Sequence, residues 1–428
     1  MAKDKRIRAC SSERQQYLAH AFNDNTIRFL LHYPGLLDPD ALRRATEALV
    51  SAVDVLHGSF YVKRIHAYWR IHGDGDFSGC FRQLRDADPV RAAQDLSVEP
   101  VAPEEKVKLR VTLVQNDAVS SLLVSISHLC VDGSDGKYLL QKLVEGYNRI
   151  LSTGSTQGMV VKNGNRAPEQ LYRSMTRKEI RQLMVNPLND VKSLYPFPTE
   201  EPGTARCVTR TIPAPVMAAA RARAKAVGAS ANDLLVAALN QAYAQLPGIA
   251  PGTPVSVTSM IDLRRHCQGG DSEGLSNMAG ALPTLLAQGV PERFADTLTA
   301  IAAQTRAIKE DPYAGLRGVP LLHTAIQTAP MGFLLKVAGR VYEKMSVGMT
   351  NLGNLSCADF ALGGLVPTGG SFGGPLKKKP GMQISVISFD GECVLACYGR
   401  YTDTDAIQLQ QTLDSMVGFI GQYGSNTI

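Results

Sequence analysis

The stretch Ser127-His128-Leu129-Cys130-Val131-Asp132-Gly133 holds the side chains best suited to proton chemistry in this sequence. Histidine titrates near neutrality, so a neutral imidazole can take a proton from an alcohol or an amine. His128 follows an alternating apolar–polar run and precedes Asp132-Gly133 and Asp135-Gly136, two pairs typical of turns. A strand would hold the ring at its exit, where it can face a cleft. The same spacing also suits an ordinary histidine beside a turn. Cys130 could act as a nucleophile if His128 activated it, but the two share a face only if the strand runs on through the motif. Lys377-Lys378-Lys379 follow a glycine-rich run and could meet phosphates of a donor or an acidic carrier, or form a solvated loop. The run 363–374 itself lacks the Gly-Lys-Ser/Thr of a phosphate loop.

Several elements must position these residues. Residues 25–33 read as a strand, and Asp38-Pro39-Asp40 opens a helix with Leu42, Ala45, Leu49, Val53 and Leu56 at helical spacing. Residues 59–71 read as a strand pair. The run 107–114 alternates strictly, predicting one buried and one wet face, and pairs with 120–127 across an Asn116-Asp117 turn. A helix is expected over 137–151. Residues 166–205 are irregular and proline-containing, which suggests a crossover between domain 1–165 and domain 206–428. The second part opens with a strand at 206–212 and a helix at 214–227. A buried helix capped by Ser230 or Asn232 follows, then a strand at 255–260 leading to Asp262-Leu263-Arg264. A helix at 291–310 precedes a segment rich in glycine and methionine. Strands 382–389 and 392–399 pair across Asp390-Gly391, and a last helix, 403–421, carries Ile407, Leu413, Val417 and Ile420 on one stripe. Antiparallel strands mixed with helices predict an α+β layered fold in two similar halves.

The histidine–x3–Asp-Gly motif at the end of a central strand resembles that of the chloramphenicol-acetyltransferase-like superfamily, which includes condensation domains and BAHD acyltransferases. The resemblance spans most of the chain. L-D-P-D-A-L-R-R-A-T-E-A-L-V with V-L-H-G-S-F-Y-V looks like the family's first helix and next strand, and S-A-N-D-L-L-V-A-A-L like the helix opening the second domain. I-D-L-R-R at 261–265 is similar to the aspartate–x–arginine segment, and T-N-L-G at 350–353 to the stretch beside the active site. The resemblance implies two sandwich domains in a V-shaped pseudo-dimer, with a channel between them and His128 at its middle. It implies His128 as general base and Asp132 as a structural partner of Arg264. Gly133 would allow close approach and offer an oxyanion N–H, with Thr350 or Asn351 helping the oxyanion. The sequence departs from the family in carrying Ser127 where many condensation domains have a first histidine. Ser371-Phe372-Gly373-Gly374 stands where plant-type enzymes have an aspartate-Phe-Gly-Trp-Gly segment.

The implied activity is acyl transfer from a coenzyme A or carrier-protein thioester to a small-molecule alcohol or amine. No tightly bound cofactor and no metal are expected. The competing reading is a catalytically silent, condensation-like protein that docks a carrier protein. Composition narrows the rest. The 428 residues carry a formal net charge of +6, and the lysine triplet is the one tight basic cluster, which argues against a nucleic-acid partner. No apolar run reaches the roughly 18 residues of a membrane span, and the charged N-terminus lacks the apolar core of a signal peptide. The 8 cysteines are scattered, lack the C-x2-C pairs of zinc sites, and read as reduced thiols. A cytoplasmic monomer is the expectation.

Overall fold

The computed structural model describes residues 4–63, 66–73, 75–185, 191, 203–344, 347–378 and 381–425. Among these residues the strands fall into three sheets. One runs, in spatial order, Gly369–Gly373, Thr26–Tyr33, Ser120–Ser127, Leu109–Gln115, Phe81–Arg85, antiparallel except for the last pair. A second runs Ala279–Leu286, Val255–Asp262, Val347–Leu355, Met382–Phe389, Glu392–Tyr401, Thr204–Ile212, with three of its inner strands, 255–262, 347–355 and 382–389, mutually parallel. A small sheet joins Lys5–Arg8, Ala67–Ile71 and Gly58–Val62. The α+β layered class and its two-lobed arrangement follow from these sheets and the helices on them. No described helix is long and apolar enough to cross a membrane.

Local chemistry accounts for most elements. Asp38 caps the helix Pro39–Ser51, accepting from the Asp40 and Ala41 amides at 2.8 and 3.0 Å, and Leu42, Ala45 and Leu49 of that helix are buried. Ser230, rather than Asn232, caps Ala231–Ala244 by accepting from the Asp233 amide at 3.2 Å. Asn116 Oδ1 closes its turn by accepting from the Ala118 and Val119 amides. The Asp390-Gly391 hairpin sets Phe389 opposite Glu392.

Three expectations are corrected. The strand Leu109–Gln115 has no wet face. Val111 and Leu113 enter the main core, while Val114 joins Leu123 and Ala93 of the helix Pro89–Leu96 on the opposite side. Asp132-Gly133 and Asp135-Gly136 form no free turn. They are the N-cap and first turn of a helix spanning Gly133–Thr153, because Asp132 accepts from the Asp135 amide at 3.1 Å. Ile407 is 55% exposed. On the final helix, Asp403–Gly424, Leu413 and Ile420 are buried as expected and Val417 partly so, while Ala406, Leu409 and Met416 rather than Ile407 complete the buried stripe. The glycine- and methionine-rich segment supplies helices Val319–Thr328 and Met331–Lys344 and two further strands.

The strand Gly369–Gly373 comes from the second part of the chain yet hydrogen-bonds in the first sheet, with Phe372 opposite Phe29. Phe360, Phe372 and Phe389 likewise pack in the first core. The crossover 166–205 lies partly outside the described residues. Its described part holds a helix, Arg177–Leu183, and its last residues belong to the strand Thr204–Ile212.

Glycines make the Gly369–Gly373 crossing possible. A Cβ on Gly370 would lie 2.1 Å from the Leu30 carbonyl oxygen, and one on Gly373 would lie 2.3 Å from the buried Tyr398 ring, whereas Gly369 faces open space. Gly370→Ala and Gly373→Ala should each cost about 1–3 kcal/mol in urea unfolding, the usual range for overpacking, and Gly369→Ala should cost almost nothing. Equal stability of all three variants would contradict this close approach.

Candidate active site

Backbone contacts fix His128 just beyond the strand Ser120–Ser127. The Ser127 amide donates to the Lys108 carbonyl at 2.8 Å, the His128 amide to the Asn25 carbonyl at 2.7 Å, and the Cys130 amide back to Ser127 at 3.0 Å. Leu129, Cys130 and Val131 are buried, while His128 keeps partial solvent access. Its side chain is clamped by Asn277. The Asn277 Nδ2 donates to the His128 carbonyl at 2.7 Å, and Asn277 Oδ1 lies 2.7 Å from His128 Nδ1. A carbonyl can only accept, so the amide nitrogen must face it and the amide oxygen must face the ring. Nδ1 therefore carries the hydrogen, and Nε2 is left with its lone pair. Burial lowers the His128 pKa below that of an ordinary histidine, and Lys377 pushes the same way, against the charge of Asp132 and the Asn277 contact. The lowered pKa favours the neutral ring, and the clamp leaves its lone pair on Nε2.

Asn277 is held by ions. Arg264 Nη1 lies 2.8 Å from Asp132 Oδ2 and 3.0 Å from Asp262 Oδ1, and Nη2 lies 2.9 Å from Asp135 Oδ2. Asp132, Asp135 and Arg264 are all buried. Lys162 joins from the other side, 2.7 Å from Asp135 Oδ1 and 3.0 Å from Asp271. Their remaining hydrogen-bonding capacity goes to the loop on either side of Asn277. Asp132 Oδ2 accepts from the Met278 amide at 2.8 Å, Asp135 Oδ2 accepts from the Ser276 amide at 2.7 Å, and Arg264 Nη2 donates to the Ser276 carbonyl at 3.0 Å. Burial alone would lower the Arg264 pKa, but Asp132 and Asp135 outweigh it and hold the guanidinium charged. Burial raises the Asp135 pKa, and Asp132 adds to the rise against Arg264 and Lys162.

The other residues singled out by sequence fall differently. Gly133 opens the helix, so its N–H belongs to the first turn, which has no intrahelical acceptor. A Cβ there would come within 2.7 Å of Leu352, the residue that a register shift between Asn351 and Asn354 brings against the motif. Thr350 and Asn351 lie on the same strand, but the side-chain amide of Asn351 is engaged elsewhere. Its Oδ1 accepts from the Gly353 amide at 2.8 Å, and its Nδ2 reaches Asn232 Oδ1 at 3.4 Å. The lysine triplet does not form one basic patch, because neighbours on an extended segment point to opposite sides. Lys377 turns inward, its Nζ 5.7 Å from the Tyr342 ring centroid, and burial lowers its pKa to about 8. Lys378 is exposed and donates to the His20 and Ala21 carbonyls. Lys379 lies outside the described residues.

Cys130 is buried, donates to the Val55 carbonyl at 3.4 Å, and has its pKa raised to about 12 by burial, so it presents no thiolate. Among the described residues, no three His, Cys, Asp or Glu side chains gather as metal ligands. A cavity of about 200 Å³ adjoins the ion cluster and is lined by Asp262, Asn232 and Ser259 among others. A cavity of about 450 Å³ lies by Arg8 and Arg14. His128 lines neither of them. Sequence reasoning missed Asn277 and Asp135. Asp135 was read as turn chemistry, and Asn277 carried no signal beyond a Ser-Asn pair ahead of an apolar strand.

No protein-family model and no curated protein sequence matches the chain. Solved structures do. The chain is similar to polyketide synthase associated protein 5 from Mycobacterium tuberculosis, with a TM-score of 0.71 and 16% identity over 99% of each chain. It is similar to the TRI3 trichothecene 15-O-acetyltransferase from Fusarium sporotrichioides, with a TM-score of 0.74 and 12% identity over 98% of this chain and 95% of that one. The first condensation domain of the CDA synthetase gives 0.69 and 17%, over 98% and 97%. At these identities the likeness establishes the fold, which is that of the condensation-domain and acetyltransferase structures to which the sequence motifs pointed.

Two outcomes follow from the clamp and its surroundings. In ¹⁵N-histidine NMR, His128 should show the Nδ1–H tautomer alone, and Asn277→Ala should release a mixture of tautomers. A parent ring protonated on Nε2 would contradict the clamp. Lys377→Met removes a positive neighbour, so the His128 titration midpoint should move up. A midpoint that stays in place or falls would contradict the placement of that ammonium.

Proposed function

We propose that the protein is an acyltransferase that moves an acyl group from a thioester to a hydroxyl or amine. The observation that carries this reading is the neutral His128 ring, with Nδ1 tied to Asn277 and Nε2 left as a base. The acceptor's proton passes to Nε2 as its oxygen or nitrogen bonds to the thioester carbonyl carbon, and the carbonyl π pair moves onto oxygen. As the tetrahedral intermediate collapses, the C–S bond breaks, sulfur leaves with the electron pair, and the imidazolium returns the proton to give free thiol. Asp132 is a positioning residue that acts through Arg264 and the loop 276–278. The Gly133 N–H, at the positive end of the Gly133–Thr153 helix, is suited to the oxyanion, with Thr350 on the strand Val347–Leu355 as a substrate contact. The donor is an acyl-coenzyme A or an acyl carrier protein thioester, bound as co-substrate. The inward turn of Lys377 removes it from a surface phosphate site and sets it near the base instead. The fold likeness supports the reading through TRI3, whose name describes an acetyltransferase. The alternative reading is a silent, carrier-docking role.

The deciding assay measures thiol release from acetyl- and longer acyl-coenzyme A with a panel of alcohols and amines. His128→Ala should lose about 10²- to 10⁴-fold in rate with its unfolding midpoint unchanged. Near-parental release by that variant would remove the proposed base, and absence of release by the parent across donors and acceptors would favour the docking role. Arg264→Ala should lose about 3–5 kcal/mol of stability along with its rate, because it leaves two buried carboxylates without their shared partner.

A further inference from the structure

The cavity of about 450 Å³ lies where the N-terminal segment meets the end of the helix Val319–Thr328, and Arg8, Arg14, His66, Arg166, Glu169 and Gln327 are on its wall. Its volume is in the range of small-molecule sites. The arginines are not equivalent. Arg166 is neutralised, its Nε 2.8 Å from Glu13 Oε1, and those side chains are 13% and 4% exposed. Arg14 is 4% exposed and has no carboxylate at ion-pair distance among the described residues. Its Nη1 donates to the Gln327 carbonyl at 3.1 Å, and its Nη2 points to the Ala329 carbonyl and Met331 Sδ, both at 3.4 Å. Its Nε has no partner. Arg8, exposed on the same wall, makes neither an ion pair nor a side-chain hydrogen bond among the described residues; burial, and then the nearby charge of Arg8, lower the Arg14 pKa.

Carbonyls satisfy N–H groups but do not cancel a net charge. A guanidinium this deep, with a second cation nearby and no carboxylate at ion-pair distance among the described residues, is costly unless a charge partner arrives from outside. Buried donors left unpaired in folded proteins often mark an ion absent from the coordinates. We infer that this cavity is a second binding site, separate from His128, that takes an oxyanion group, carboxylate or phosphate, between Arg8 and Arg14. Planar guanidinium forks match both groups. Glu169 bounds the site on the acidic side. Its Oε1 accepts from Gln327 Nε2 at 2.7 Å and its Oε2 is buried without a partner, so an occupant that also offers an N–H or O–H fits better than a bare dianion.

The test is isothermal titration of the full chain with inorganic phosphate and, separately, with succinate and serine, each against sodium chloride at matched ionic strength. At least one of the three should bind saturably, and Arg8→Gln should raise its Kd about tenfold or more, the worth of one hydrogen bond to a charged group. Saturation by phosphate alone identifies a phosphate group. Saturation by succinate or serine identifies a carboxylate, and preference for serine adds the Glu169 contact. Arg14→Gln should abolish binding. Should that variant fail to fold, the exposed Arg8→Gln still decides. Heats that match the chloride control for all three probes, or an Arg8→Gln variant that binds like the parent, overturn the inference. Binding is read without turnover, so the result stands apart from the acyltransferase reading.

Discussion

Arg264 carries its guanidinium into the seam between the two halves, where Asp132 and Asp135 meet it at 2.8 and 2.9 Å. Both carboxylates sit at the start of the Gly133–Thr153 helix, and Arg264 follows the strand Val255–Asp262, so one charge cluster ties the first half to the second. The loop backbone at Ser276 and Met278 takes up the capacity left over. Asn277, held between them, reaches the His128 carbonyl and ring. Three parallel hydrogen bonds to the loop, followed by the Asn277 clamp, therefore run from a buried ion pair to the choice of which imidazole nitrogen keeps its lone pair. A salt bridge in a protein interior is poor evidence of net stability, because desolvation offsets most of the attraction. Here its geometric consequence matters more than its energy.

That cluster also explains why a helix begins where the sequence suggested a turn. An aspartate at the N-cap and another in the first turn suit the helix's positive end, and each keeps oxygens free for partners across the seam. Asp132 uses one oxygen for the cap and the other for Arg264 and Met278. Gly133 next to it leaves room for Leu352, which arrives from the other half through a slip in strand register.

Much of this was legible in the sequence because it is local. The strands 109–115 and 120–127, the Asp38 cap and the Asp390-Gly391 hairpin are all written within a few residues, and so is the motif that carries His128 and Asp132. The features that stayed hidden depend on distance or on missing side chains. Asn277 lies 149 residues from His128 in the chain, and no spacing rule links them. Gly369–Gly373 has little side-chain pattern to read, and it becomes a strand because Thr26–Tyr33 offers it an edge. The lysine triplet looked like one patch because sequence shows neighbours, whereas backbone alternation sends Lys377 and Lys378 apart. Ile407 was placed on the buried stripe by helical spacing alone, and packing kept Leu413 and Ile420 of that stripe while turning Ile407 to solvent. A fold shared at 12–17% identity keeps the scaffold but leaves chemistry to the site, which is why the reading of function rests on one ring and its clamp.

The central claim is that the ion cluster sets the protonation of His128 without touching it. The variant Arg264→Lys keeps the charge but loses the planar fork that binds two carboxylates and the Ser276 carbonyl together. Nitrogen-15 spectra of its histidines, recorded above the titration of His128, test the claim most directly. The account expects the His128 ring of this variant to populate both tautomers. A ring that remains wholly in the Nδ1–H form would show that Asn277 holds its position without the cluster, and would contradict the account.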